Sequence, residues 1–377
     1  MRVTFPHMGN MWISVKALLE NLDLDVVVPP PCTNRTMSLG VRHSPEFICL
    51  PLKVNLGNYM EAAEMGANTI AIAGGVGPCR FGYYSRLQKE ILDDLGYNYR
   101  MVILEPPQRH FGEIFKEMDK LTKFSLGQFF TAARLAWLKC CLIDAVEERV
   151  HKLRAWELTA GQVDKVYKEA LSNIDASQTR REIIKAKERA LESLNDIRTD
   201  STREVVRVAI VGEIYTILEP YVNQDAERHL GRLGVEIDKS LYLSRWVNDH
   251  LLGGFLPLES SRDALKMAAP YLNSFVGGHG RESVGYTVKY ARESYDGVIQ
   301  IAPLTCGPEI VAEAILPEVA VKEGIPVMTI YVDEHSGEAG LITRLEAFVD
   351  MIRRRKYHGW DAAAGQERGF EDVLSRG

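Results

Sequence analysis

The chain lacks the close-set cysteine pairs of a metal-binding knuckle. Its six cysteines stand at positions 32, 49, 79, 140, 141 and 306, and no Cys-x-x-Cys occurs. A zinc ribbon or ferredoxin-type loop is therefore not encoded. No apolar run reaches the roughly 18 residues that cross a bilayer, and Met1-Arg2-Val3-Thr4-Phe5-Pro6-His7 lacks the apolar segment of a signal peptide. The expectation is a cytoplasmic protein with no membrane partner. Reducing conditions there favour metal ligands, catalytic groups or core thiols over disulfides. Positive charge is not in excess: the formal net charge is -6, which argues against a nucleic-acid partner. The short run Arg353-Arg354-Arg355-Lys356 reads as the complement of a helix C-terminus. A P-loop is also lacking. Gly277-Gly278-His279-Gly280 precedes no Lys-Ser, so it reads as a turn or cleft loop.

With 46% hydrophobic and 25% charged residues, 377 residues suffice for two or three globular domains. Residues 1–108 alternate apolar strands (Val3-Thr4-Phe5, Asp25 to Val28, Thr69 to Ala73, Met101 to Leu104) with helical stretches (Trp12–Asn21, Tyr59–Gly66, Ser85–Leu95). This alternation predicts a parallel α/β sheet. Residues 109–203 contain no proline and no strand-length β-branched run, and they space Ala170, Leu171 and Ile174 helically. They predict a helical subdomain. Residues 204–355 return to α/β, with strands at Val205–Gly212, Val235–Ile237, Gly297–Ile301 and Pro326–Val332 and a last helix at Phe348–Arg355. Residues 356–377 read as a tail. The expected fold class is α/β: two parallel-sheet, Rossmann-like domains facing across a cleft, with a helical insert.

Cys79 lies in Gly74-Gly75-Val76-Gly77-Pro78-Cys79-Arg80-Phe81-Gly82, directly after an apolar strand. Such loops are where parallel α/β sheets bind ligands, and glycines such as Gly75 and Gly77 admit a bulky group close to the backbone. Cys306, in Thr305-Cys306-Gly307-Pro308-Glu309, again follows a strand and precedes a helix, whose N-terminus is expected to lower the thiol pKa. Cys49 is bracketed by Pro45 and Pro51, which predict a rigid, non-helical backbone. Only tertiary folding brings the three together. Cys32, after Pro29-Pro30-Pro31, is a fourth ligand, a neighbouring thiol or incidental, while adjacent Cys140 and Cys141 on a helix read as core packing. Candidate proton donors or acceptors are Glu334, His335 and Glu338 after the last strand, with a solvated helix cap as the bland reading. Glu309 reads as a base or a helix-start acid. His7 and His279 are loop histidines. Lys53 and Arg80 flank proposed ligands and either balance a cluster's charge or lie at the surface.

These segments resemble the 2-hydroxyacyl-CoA dehydratase superfamily, in particular its activase-associated branch. The likeness is carried by Phe5-Pro6-His7-Met8-Gly9-Asn10, Pro45 to Asn58, Gly74 to Tyr84, Val211-Gly212-Glu213-Ile214-Tyr215 with Glu219-Pro220-Tyr221-Val222-Asn223, Thr305 to Glu309, Asp333 to Gly340, and Thr343 to Phe348. The resemblance implies a [4Fe-4S] cluster held by three cysteines, here Cys49, Cys79 and Cys306. Their positions in the same loops make Gly75, Gly77, Arg80 and Gly307 the expected lining of that cofactor. Three thiolates leave one iron open, and Glu309, Glu334 and His335 are the candidate catalytic groups by their places at strand and helix ends. It also implies a separate ATP-dependent activase as electron donor, and reduction or dehydration of an acyl-CoA or other small molecule. Family dehydratases pair two unlike subunits; for this single chain a homodimer is the expectation. A non-catalytic electron relay serving an activase, and a purely structural metal site, are the competing readings.

Overall fold

The computed structural model describes residues 1–75, 77–104, 118–119, 121–251 and 258–357. The start of the expected helical region (109–117) and nearly all of the expected tail (358–377) lie outside them. In the first half, β1 (Arg2–Thr4), β2 (Asp25–Val26), β3 (Thr69–Ala73) and β4 (Arg100–Leu104) form a parallel sheet in the order β2-β1-β3-β4. In the second half, β5 (Val206–Gly212), β6 (Val235–Lys239), β7 (Gly297–Pro303) and β8 (Val327–Val332) repeat that order as β6-β5-β7-β8, again all parallel. The α/β class with two parallel sheets is therefore what the chain adopts.

Helices cover both faces of each sheet, as parallel strands require. In the first half they are α1 (Met11–Glu20), α2 (Asn34–His43), α3 (Leu50–Glu64) and α4 (Phe81–Asp94). Ile70 and Ile72 bury against Leu52, Leu56 and Tyr59 of α3, and Val3, Ala71 and Val102 against Leu19 of α1. The insert is α5 (Leu126–Leu153), α6 (Gln162–Ala176) and α7 (Arg180–Asn195), packed around Val146, Val150, Val163, Ala190 and Leu194. The second half adds α8 (Ile214–Leu218), α9 (Ala226–Arg232), α10 (Leu243–His250), α11 (Ser261–Ala268), α12 (Gly280–Arg292), α13 (Gly307–Glu323) and α14 (Glu338–Tyr357). Val208, Ile210, Ile299 and Ile301 pack on Leu345, Phe348 and Ile352 of α14; Ala209 and Val298 pack on Tyr286 and Tyr290 of α12. Among the described residues no helix is long and apolar enough to cross a membrane.

The chain is not helix-averse around Cys49, contrary to the proline-based expectation. Cys49 is the N-cap of α3, with Pro51 in the first turn, where proline lacks no intrahelical bond. The helix α2 was not legible either. Thr33 and Thr36 close a capping box at its start, and Gly40 lets its backbone press against Lys53 and Gly57 of α3.

The two halves share one seam. Leu50 and Val54 of α3 and Cys32 belong to the core that also holds Tyr215 and Ile217. Gly9 adopts a left-handed φ of 49°, and a Cβ there would run into the carbonyl of Leu218. Its amide donates to Glu219 Oε2 at 2.7 Å, which also lies 2.9 Å from His7 Nδ1. Lys53, only 3% exposed, pairs with Glu334 across the same seam and donates to the Glu46 carbonyl at 2.9 Å.

Candidate metal centre in the interdomain cleft

In a 2-1-3-4 parallel sheet, the loops after the first and third strands leave in opposite directions and open a crevice. Here both sheets use it. Cys79 follows β3, and Cys306 follows β7 as the N-cap of α13, so these thiols hold equivalent topological places. Cys49 comes in from the start of α3. Arg80 ties the three loops, donating to the Phe47 carbonyl at 2.9 Å and to the Thr305 carbonyl. Gly277 presses against Pro78 and the Cys79 amide, and a Cβ on Gly278 would come within 3.9 Å of the Cys79 sulfur.

Each sulfur has one hydrogen-bond donor. The Tyr84 hydroxyl lies 2.6 Å from Cys49 Sγ. The Phe81 amide serves Cys79, and the Glu309 amide serves Cys306. The charge of Cys79 reaches both Cys49 and Cys306, and all three thiols sense Glu213. All three thiols are free.

Burial pushes the Cys306 thiol far up, with Glu213 and Glu309 adding to it, despite the helix N-terminus. The expected lowering by the dipole is thus reversed: desolvation of a thiolate outweighs a partial charge of about one half. Cys79 and Cys49 are likewise raised, by burial first; the Tyr84 hydroxyl and Arg80 pull Cys49 back in part. Such a pocket holds neutral thiols until a cation converts them to thiolates.

The other sequence candidates are dispersed. Glu309 lies beside Cys306 but is wholly buried, its carboxylate held by Ser283 Oγ (2.9 and 3.1 Å) and Gln300 Nε2 (2.8 Å). It has no face on the cleft, so it cannot touch a substrate as a base. Glu334 is committed to Lys53, and His335 is exposed on a turn in which Ser336 and Asp333 cap one another. Gly75 is crowded by Phe81 and Gly82, Gly77 with φ 95° faces Phe275, and Gly307 borders open space. Cys32 belongs to a separate buried cluster with His7, Asn58, Tyr215 and Glu219, not to the cleft. Cys140 packs in the insert, as expected of a helical core thiol.

The residue missing from the sequence candidates is Glu213. Gly212, at φ 139°, ends β5 where a Cβ would strike the Ile301 carbonyl, and the chain turns there to place Glu213 at the head of α8. One carboxylate oxygen accepts from the Thr216 amide at 3.0 Å; burial raises the group to about 7. The signal available in the sequence was its position, immediately after a glycine-terminated apolar strand.

Burial raises Glu309 to about 7 as well, and Glu213 adds to it. A carboxyl raised in the folded state stabilises fully below its unfolded value near 4.5 and loses that contribution as pH rises through 7. The metal-free chain is expected to resist urea better at pH 5.5 than at pH 8. Glu309→Gln should flatten that slope by up to about 2 kcal/mol over this range. An unchanged slope in urea titrations across this range would show that Glu309 is already ionised in the folded chain.

Comparison with protein families and with curated proteins finds no match.

Proposed function

We propose that Cys49, Cys79 and Cys306 hold one [4Fe-4S] cluster in the cleft and that the chain is an iron–sulfur protein of the 2-hydroxyacyl-CoA dehydratase type. One observation carries the reading: three cysteines remote in sequence converge on one cleft, each sulfur with its own hydrogen-bond donor.

When bound, the cluster supplies a low-potential electron and an iron position without a protein thiolate. The chain's own residues do the rest. Tyr84 and the Phe81 and Glu309 amides stabilise the sulfurs as thiolates, and Arg80 offsets their charge and fixes the loops. Glu213, half-buried with a pKa of about 7, keeps a proton on its carboxyl near neutrality and presents it to a small molecule in the cleft. The proposed substrate is an acyl-CoA or a similar small molecule, and the proposed electron donor is an ATP-dependent activase. Large exposed apolar side chains sit on the cysteine loops and the helix starts beside them: Phe47 (75% exposed), Tyr83, Leu304 and Ile310, with Phe275 against Gly77. Such an apolar surface suits a docking partner, and it equally favours the second reading, a relay that passes electrons on without turning over substrate.

Anaerobic purification with iron and sulfide analysis and EPR of the reduced protein tests the assignment. About four irons and four sulfides with a reducible signal are expected; zinc without sulfide overturns it. Glu213→Gln then separates the two readings. It abolishes substrate turnover with the cluster intact if the chain is an enzyme, and it leaves electron transfer unaltered if the chain is a relay.

A further inference from the structure

Glu282, in the first turn of α12, is only 7% exposed, and its Oε2 makes no hydrogen bond to any described residue. Asp249 Oδ1 likewise has no partner among the described residues, although Asp249 Oδ2 accepts from the Ser261 amide at 2.6 Å. A buried acceptor left unpaired costs about 1–3 kcal/mol, so each such group calls for a missing partner. Two imidazoles converge on Glu282. His250 Nε2 lies 3.7 Å from Oε1, and His279 Nε2 lies 3.9 Å from Oε2. We infer that His250, His279 and Glu282 form a binding site for one divalent first-row transition cation of the zinc type, distinct from the cysteine cleft.

The geometry is close to what such an ion needs. The ligand atoms of the three residues all lie within 4.8 Å of one another. Nitrogen and oxygen ligands at about 2.1 Å from a tetrahedral ion stand about 3.4 Å apart, so each imidazole closes on the carboxylate by about half an ångström or less and the two imidazoles on each other by at most about 1.4 Å. His250 Nδ1 lies 3.0 Å from the Trp246 carbonyl and donates its proton there, which leaves the Nε2 lone pair facing Glu282. This is the outer hydrogen bond that orients metal-bound imidazoles. The Trp246 indole N–H donates to His279 Nε2 at 3.1 Å, so an ion bound there takes over that lone pair and the indole keeps its proton but gives up this hydrogen bond. His250, on the surface, gives the ion its way in. Two imidazoles with a carboxylate suit zinc or a neighbouring transition metal, not calcium or magnesium.

Two other groups of similar composition lack this demand. Between Glu147, His151 and Glu227 sits the Lys239 ammonium, at 3.3 and 3.0 Å from the two carboxylates. In the group of His7, Cys32 and Glu219, the carboxylate already receives the Gly9 and Tyr221 amides. The proposed ion would pin α10 to α12 and, through Gly277 and Gly278, steady the loop behind Cys79.

Cobalt(II) titration of the full-length chain tests the site, because its spectrum separates nitrogen and oxygen ligands from thiolates. One cobalt per chain without sulfur-to-metal charge-transfer absorption is expected at this site. His250→Ala and Glu282→Gln should each weaken that binding at least about tenfold, with far-UV circular dichroism unchanged. His250 is exposed, so its substitution does not threaten the fold. The proposal is overturned if both variants bind cobalt as the parent does, or if the parent shows thiolate absorption alone.

Discussion

Cys306→Ser is expected to lower iron and sulfide from about four of each per chain to well under half, with the secondary structure intact. Cys306 is the one proposed ligand supplied by the second half, placed as the N-cap of α13. Its loss leaves two thiols from one wall of the cleft. The fold should survive because the seam between the halves is built elsewhere, from Gly9, Glu219, Lys53 and Glu334. Cys32→Ser and Cys140→Ser are the controls and should keep full iron, since Cys32 lies with His7 and Asn58, and Cys140 packs in α5. Iron analysis with circular dichroism reads all three variants. Full iron in Cys306→Ser, or loss in Cys32→Ser, would refute the ligand set.

Lys239→Ala should be the most damaging single change to stability, at about 3–5 kcal/mol. Lys239 is 1% exposed at the end of β6, and its ammonium joins Glu147 of the helical insert to Glu227 of α9. Burial works against its charge, yet Glu147 and Glu227 win and hold Lys239 above its usual range. The same pairing, with His151 at 2.8 Å, holds Glu227 well below the carboxylate range against burial. Removing the cation leaves two half-buried carboxylates facing each other. Adding Glu227→Gln should recover part of the loss, because it removes one of those charges. Urea denaturation of the single and double variants measures this; a loss below about 1 kcal/mol, or no recovery, would mean that water reaches the pair.

The strands were legible because fully buried parallel strands are apolar runs that end in glycine or proline, as at Ala209–Gly212 and Ile299–Pro303. Cys79 and Cys306 were legible for the same reason: each follows such a run. What escaped depended on contacts between distant segments. Pro51 reads as a helix breaker in isolation, but in a first turn it does no harm. Glu309 is three residues from Cys306, yet Ser283 and Gln300 draw it away from the cleft. Glu213 becomes part of the site only because β5 lies beside β7. The partner of Lys53 could not be known before Glu334 was brought to it, and the dipole expectation for Cys306 failed because burial is set by the whole fold.

The seam has a further consequence for how the protein is used. A small zinc domain has no shape until its metal arrives. Here the walls of the cleft are held in place by contacts that involve none of the three cleft cysteines, so the receptacle is rigid before it is filled. If the proposed cluster is lost to oxygen, the chain should therefore persist as a reusable socket, open to repair by reloading instead of being committed to degradation.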